Sequence, residues 1–147
     1  MWTMPTTAAP PDLADHLRLV VTRLARRLRQ ASDVDTSPTQ LAVLGTIDRK
    51  GPITLGDLAT SERVQPPTIT AAVGRLEQQE LVRRRTDAAD RRVTHVEITS
   101  AGRRFLGRQR SRKTAYLARR LDALEPAERT TLADAAAILE RVLESSP

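Results

Sequence analysis

Leu81-Val-Arg-Arg-Arg-Thr-Asp-Ala-Ala-Asp-Arg-Arg-Val-Thr-His-Val-Glu-Ile-Thr-Ser-Ala-Gly102 is the stretch that decides the fold. Val82, Arg84 and Thr86 alternate with Arg83 and Arg85. On the return, Thr94, Val96 and Ile98 alternate with Val93, His95 and Glu97. Successive side chains of a strand point to opposite faces, so this period of two predicts a β-hairpin, or wing, with one face on a core and one in water. Its tip, Asp87-Ala-Ala-Asp90-Arg91-Arg92, places Arg91 and Arg92 where a ribbon can insert them into a DNA groove.

Upstream lies a helix expected to begin at Pro67 and run to about Gln79, because the residue before a proline is pushed out of helical geometry. Ile69, Val73 and Leu76 face inward; Thr68, Thr70, Ala71, Gly74, Arg75 and Gln78 are left outside. A short helix, Leu55 to about Ser61, precedes it. Thr54 starts that helix with Asp57 three residues on, and Ile53 and Leu58 sit at the positions of a hydrophobic staple. Before that, Ser37-Pro38-Thr39-Gln40 puts Ser at the cap and Pro in the first turn, and Gly51-Pro52 ends the helix. Leu41, Leu44 and Ile47 supply its buried face.

Thr99 caps a long helix from Ser100 to about Leu124. No acidic residue occurs from Ser100 to Arg120, while eight basic ones accumulate. That run reads as a solvated face, as a flank that contacts phosphates, or as part of a pocket for an anionic ligand, since a carboxylate pairs well with arginine. Pro126 opens a last helix with Leu132, Ala136, Leu139, Val142 and Leu143 on one side. At the other end, Leu13, Leu17, Val20, Val21, Leu24 and Leu28 form an apolar stripe on a helix from about Asp12 to Ala31. Met1 to Pro11, rich in Pro, Thr and Ala, reads as a flexible arm. The divisions expected are therefore an arm (1–11), an N-terminal dimerisation helix (12–36), a winged helix-turn-helix domain (37–99) and C-terminal dimerisation helices (100–147). The fold class is mainly α with a small β-wing.

The 147 residues carry a net charge of +6, which favours a polyanionic partner, nucleic acid before acidic membrane. There is no cysteine, which excludes disulfides and thiolate metal sites. The two histidines, His16 and His95, do not cluster and are read as surface residues, so neither a metal nor another cofactor is expected. No apolar run approaches the ~20 residues of a membrane span. With no secretory signal at the N-terminus, a cytoplasmic protein is expected. No nucleophile–base set, phosphate-cradling glycine loop or paired carboxylates support an enzyme.

Helix, short helix, turn, helix and charged hairpin together make a winged helix-turn-helix, with the helix from Pro67 as the recognition element. Pro67, Thr68, Thr70, Ala71 and Arg75 are the candidate major-groove contacts. Its small, polar amino end lets the backbone approach the bases; the threonines suit base edges or thymine methyls, and Arg75 a guanine or a phosphate. Arg91 is the candidate for the minor groove, with Asp90 and Arg92 fixing the tip. A winged-helix module that binds protein instead of DNA is the rival reading, and the basic wing argues against it.

The sequence resembles the MarR family (multiple-antibiotic-resistance-type regulators) from about Asp12 to Glu144. The resemblance is carried by Leu58-Ala59 to Pro67-Thr68-Ile69-Thr70 and Leu76-Glu77, by Leu81-Val82, and most specifically by Asp87-x-x-Asp90-Arg91-Arg92 with Ile98-Thr99-x-x-Gly102. It implies a homodimer with interleaved terminal helices, double-stranded DNA as partner and a ligand pocket between those helices and the winged domain. The implied effectors are small phenolic or lipophilic acids, for which Phe105, Arg108, Arg112 and Tyr116 are the candidate contacts. A DNA-binding protein without an effector is the alternative. Three departures stand out. Ala89 replaces a frequent wing arginine, Glu62-Arg63 replaces an apolar residue and a glycine, and Ala71 replaces a frequent basic residue. Independently of family, the apolar stripes of the first and last helices exceed what one winged domain covers. A symmetric dimer would set two recognition helices roughly 34 Å apart on a pseudo-palindrome, the site expected of a repressor.

Overall fold

The computed structural model describes residues 11–32 and 35–145, for Pro11 the backbone alone. The arm expected over Met1–Pro11 therefore lies outside the described residues, except that Pro11 already opens the first helix. The elements run α1 (Pro11–Gln30), α2 (Pro38–Lys50), β1 (Ile53–Thr54), α3 (Leu55–Glu62), α4 (Pro66–Gln78), β2 (Val82–Thr86), β3 (Thr94–Ile98), α5 (Ser100–Asp122) and α6 (Pro126–Glu144). This is the mainly helical chain with a small antiparallel sheet that the sequence predicts.

Helix starts follow local chemistry. The Ser37 hydroxyl accepts from the Gln40 N–H at 3.1 Å, Thr54 from Asp57 at 3.1 Å and Thr99 from Gly102 at 3.0 Å. Each satisfies one of the amides that a helix leaves unpaired at its first turn. One boundary is corrected: α4 begins at Pro66, not Pro67. Gln65 carries the extended backbone (φ −68°, ψ 144°), and its carbonyl accepts from Thr68 at 3.0 Å. Two prolines cost nothing there, because first-turn N–H groups have no helical acceptor anyway.

The wing is also larger than a hairpin. β1 pairs with β3 through Ile53↔Val96 and Thr54↔His95, giving a three-stranded sheet in the order β1-β3-β2. Two residues are too short to show a period, so the sequence does not reveal them. The alternation predicted for β3 holds at buried Val96 and Ile98. On β2, only Val82 is buried, because the ribbon overhangs the body beyond it. Arg84, on the core-side register, instead reaches Glu77 at the end of α4, 3.1 Å away.

The core joins α2, α3, α4, the sheet and the start of α5. Leu44, Ile47, Leu58, Ile69, Val73, Leu76 and Val96 are fully buried in it. α3 and α4 both end in the same way. Arg63 (φ 53°) and Glu80 (φ 58°) turn left-handed, and the next residue's N–H returns to the helix: Val64 to Ala59 O at 3.2 Å, Leu81 to Leu76 O at 3.0 Å. This exit suits glycine, yet both positions carry side chains. Arg63→Gly should therefore raise stability by about 0.5–1 kcal/mol, the left-handed penalty less the extra chain entropy of glycine. Denaturant unfolding tests it; a loss of stability would show that the Arg63 side chain is needed.

α1 and α6 stand apart from this core. α6 has no buried residue at all, and Val142 and Leu143 are 63% and 85% exposed. On α1, Leu13, Leu17, Val20 and Leu24 also remain exposed. The α6 entry is well formed, with the Glu128 carboxylate accepting from the Glu125 N–H at 3.0 Å. An ordered helix with an uncovered apolar stripe is thus built at each end.

Candidate nucleic-acid interface

α4 shows two faces. Ile69, Ala72, Val73 and Leu76 are buried, and Pro67, Thr68, Thr70, Ala71 and Arg75 are exposed. The Thr70 hydroxyl donates to the Pro66 carbonyl at 3.1 Å, so this side chain offers outward a methyl group and acceptor lone pairs. Those match a thymine methyl or a base amino group in a major groove. Thr68, Ala71 and Arg75 line a cleft of about 210 Å³ together with Ser37, Thr39 and Gln40 at the start of α2.

At the other end of the interface the wing tip is fixed by two carboxylates. Asp87 Oδ1 accepts the N–H groups of Ala89 at 2.7 Å and of Asp90 at 3.2 Å, and the Asp87 N–H donates to Val93 O at 2.9 Å. These amide hydrogen bonds hold the Asp87 carboxyl below the usual carboxylate range. Asp90 grips Arg92: its Oδ1 accepts from the Arg92 backbone N–H at 3.0 Å and from Nε at 3.1 Å, and Oδ2 from Nη2 at 3.2 Å. The Arg92 side chain and backbone likewise hold Asp90 low. Arg91, between them, is exposed and makes no ion pair among the described residues.

The remaining wing arginines are occupied. Arg83 Nε lies 2.6 Å from Glu97 Oε1 and Arg85 Nη1 3.6 Å from Glu97 Oε2, so one carboxylate braces two cations across the strands. The Arg83 hydrogen bond keeps Glu97 ionised at lower pH than an ordinary glutamate. His95, expected on the outward face, is half-buried with Nδ1 3.8 Å from Asp87 Oδ2. Asp87, which fixes the turn of the tip, is not among the contacts expected from sequence. Its signal is the Asp followed two and three residues on by turn amides.

The pH consequence has a definite sign. Asp87, Asp90 and Glu97 have depressed pKa values when folded, so their contribution is complete above the unfolded values and is lost as pH falls through the folded ones. Amide exchange in the wing tip should be unchanged from neutrality to about pH 5 and, after correction for intrinsic rates, faster below about pH 4. Asp87→Asn should remove part of this dependence; an identical profile in that variant would contradict the role given to Asp87.

On α5, Phe105, Arg108, Arg112 and Tyr116 share one side. Arg108 lies over the Phe105 ring at 6.0 Å and Arg120 over Tyr116 at 4.8 Å, while Phe105 also packs on the core. A neighbouring face of α5 presents Leu106, Gln109, Arg110 and Lys113 to a cleft of about 410 Å³ against Arg29, Leu41 and Arg49 of α1 and α2. Glu62 reaches this cleft from the end of α3 and accepts the Thr46 hydroxyl, which in turn accepts from Arg49 at 2.9 Å. Asp48 lies between Arg103 (3.7 Å) and Arg110 (3.8 Å), tying α2 to α5. Among the described residues no group of His, Cys, Asp or Glu is placed to hold a metal, and no helix is long and apolar enough to cross a membrane.

Comparison with known proteins bears on this arrangement. Residues 36–94 match the family model of the MarR family. An HTH-type transcriptional regulator of Mycobacterium bovis is 34% identical over 92% of this chain and 95% of its own length. A crystal structure from Pseudomonas aeruginosa, assigned to transcriptional regulation, superposes with a TM-score of 0.82 at 37% identity, over 92% of this chain and 96% of that one. The fold is shared with a point mutant of MepR from S. aureus, solved bound to an oligodeoxyribonucleotide, with a TM-score of 0.70 at 19% identity over 88% and 97% of the two chains. With a recognition helix, a braced wing and full-length relatives of one kind, the chain belongs to the MarR family of winged helix-turn-helix, DNA-binding transcriptional regulators.

Proposed function

We propose that this regulator acts as a homodimeric repressor on a pseudo-palindromic promoter site, in the cytoplasm and without a catalytic step. The observation that carries the dimer is the pair of uncovered apolar stripes on α1 and α6, ordered helices whose stripes lie exposed within one chain. Association of two copies through these stripes removes that surface from water, and the two-fold axis then presents two α4 helices to successive major grooves. In each half-site Pro67, Thr68, Thr70, Ala71 and Arg75 face the major groove. Arg91 enters the minor groove, and Asp90 holds Arg92 at the tip. Repression follows from occupancy of the promoter.

The cleft between α1, α2 and α5 supports an effector. Leu41 and Leu106 give it an apolar floor, and Arg29, Arg49, Arg110 and Lys113 ring it with positive charge, a combination that suits a small aromatic acid. Effector contacts are thus assigned to Leu106, Gln109, Arg110 and Lys113 of α5 instead of the expected Phe105, Arg108, Arg112 and Tyr116, none of which lines this cleft. Because the cleft spans the junction of terminal helices and winged core, a ligand that fits one separation of the two α4 helices better than another shifts the operator affinity.

Sedimentation and a gel shift on the protein's own promoter region test this reading. A dimer should be found at micromolar concentration, and its DNA affinity should fall steeply with salt, with a log–log slope of about −0.9 per phosphate contacted. A monomer, or an affinity indifferent to salt, would overturn it. Salt indifference would favour a protein-interaction module.

A further inference from the structure

The cleft between the first turn of α2 and the outer side of α4 contains polar groups without a hydrogen-bond partner among the described residues. Pro38 has no N–H. The Gln40 N–H donates to Ser37 Oγ at 3.1 Å and the Leu41 N–H to Ser37 O at 3.0 Å. The Thr39 N–H, by contrast, has no hydrogen-bond partner among the described residues. Behind it lies Gln40, only 4% exposed, whose side-chain Oε1 is buried without a hydrogen-bond partner among the described residues. A buried carbonyl oxygen left without a donor is costly, and native structures seldom carry one without a use.

Arg75 lines the same cleft and makes no ion pair among the described residues, although six other arginines of the winged core and α5 do. A guanidinium has five N–H donors in a rigid plane. One edge can satisfy Gln40 Oε1 while the other faces out of the cleft. At that mouth stands the positive end of the 13-residue helix α2, with its unused Thr39 amide. A group that accepts hydrogen bonds and carries negative charge fits there, and the macromolecule that α4 faces supplies one at every nucleotide.

We propose that Gln40 is a positioning residue. It orients Arg75 so that the guanidinium and the Thr39 N–H together form a seat for one DNA backbone phosphate beside each recognition helix. The proposal rests on α4 being the helix that enters the groove. It assigns Arg75 to the backbone, where it sets register, and leaves base contact on this helix to the threonines.

Binding of a random-sequence duplex of 30 base pairs, measured across a series of NaCl concentrations, tests the seat. Arg75→Ala should flatten the log–log salt slope by about 1 per seat, or about 2 per dimer. Gln40→Met, similar in size but without the amide, should remove most of the same slope. In the double variant Gln40→Met should add nothing further, because the two residues act through one contact. A Gln40→Met effect as large in the Arg75→Ala background as in wild type, or an unchanged slope in Gln40→Met, would overturn the proposal. Melting of each variant separates these results from loss of folding. If Gln40→Met does not fold, Gln40→Glu serves instead: it keeps the acceptor for Arg75 but sets a negative charge beside the phosphate. Gln40→Glu should weaken binding and flatten the slope, and unaltered binding would refute the seat. An unchanged slope in Arg75→Ala would refute the seat together with the groove-facing placement of Arg75, whereas a wild-type affinity without salt dependence would refute DNA binding itself.

Discussion

Gly102→Ala is expected to destabilise the protein by about 3 kcal/mol, the upper end of the usual overpacking range. A Cβ at this position would stand 2.2 Å from the Leu81 carbonyl oxygen and 2.7 Å from Ile98 Cγ1. Neither neighbour can move cheaply. The Leu81 carbonyl accepts the Thr99 N–H at 3.0 Å, and the Thr99 hydroxyl donates to Glu80 O at 2.7 Å while accepting the Gly102 N–H. The exit of α4, the root of the wing and the entry of α5 are therefore clamped at one point. A methyl group there must push them apart or tilt α5. The melting temperature should fall by about 10 °C for a chain of this size. Gly107→Ala is the control: it lies on the same helix with nothing within 4 Å of its added Cβ. It should stabilise by about 0.5–1 kcal/mol, the helix-propensity gain of alanine over glycine. Equal melting of Gly102→Ala and wild type would show that α5 does not enter as described.

Arg91→Ala should weaken operator binding by about 1–3 kcal/mol, with no change in melting temperature. Three carboxylates, at the tip, along the strands and on α4, single this residue out by pairing with the other wing arginines. Asp90 takes the guanidinium of Arg92, Glu97 takes those of Arg83 and Arg85, and Glu77 takes that of Arg84, so Arg91 reaches solvent without a carboxylate partner among the described residues. Asp87 fixes the turn that presents it. An arginine without a competing carboxylate gives up less on entering the negative potential of a narrow minor groove than a paired one. Arg83→Ala, which breaks an ion pair with an exposed arginine, should cost less in binding. Titration of a labelled operator with both variants makes the comparison. If Arg83→Ala weakened binding more than Arg91→Ala, the groove contact would have to be moved from the tip to the strand.

How far residues announced this structure depends on the kind of signal they carry. Caps at Ser37, Thr54 and Thr99 were legible because each is a local bond between residues three apart. The wing was legible as an alternation over two five-residue runs. β1 was not, since Ile53 and Thr54 become a strand only by meeting Val96 and His95, some forty positions away. The rule for residues preceding proline points one residue past the start of α4 at Pro66, because it leaves out the greater freedom of a first turn, where a missing N–H breaks no bond. Site residues divide in the same way. The tip pair Asp90–Arg92 is local and can be read along the chain. The placing of Gln40 and Arg75 on one cleft, and the meeting of Glu62 with Thr46 and Arg49, depend on packing between helices, which no spacing within one helix encodes.

The family departures acquire physical content in the same frame. Arg63, where a glycine is frequent, adopts a positive φ without a Cβ-free backbone, so the chain carries a modest strain just before the recognition helix. Glu62, where an apolar residue is frequent, brings a carboxylate to the mouth of the cleft otherwise ringed by cations. Ala89 and Ala71 are short side chains on the proposed DNA face, which in that proposal leaves more of the contact to Arg91, the threonines of α4 and backbone phosphates.

Selection of bound sequences from random DNA tests the central claim, that two copies of this chain present paired recognition helices to one duplex. The account predicts an enriched inverted repeat whose half-site centres lie about 10–11 base pairs apart, one helical turn, with the Arg91 contacts falling in A·T-rich minor grooves flanking them. Enrichment of a single, unpaired half-site, or of no sequence at all, would contradict it.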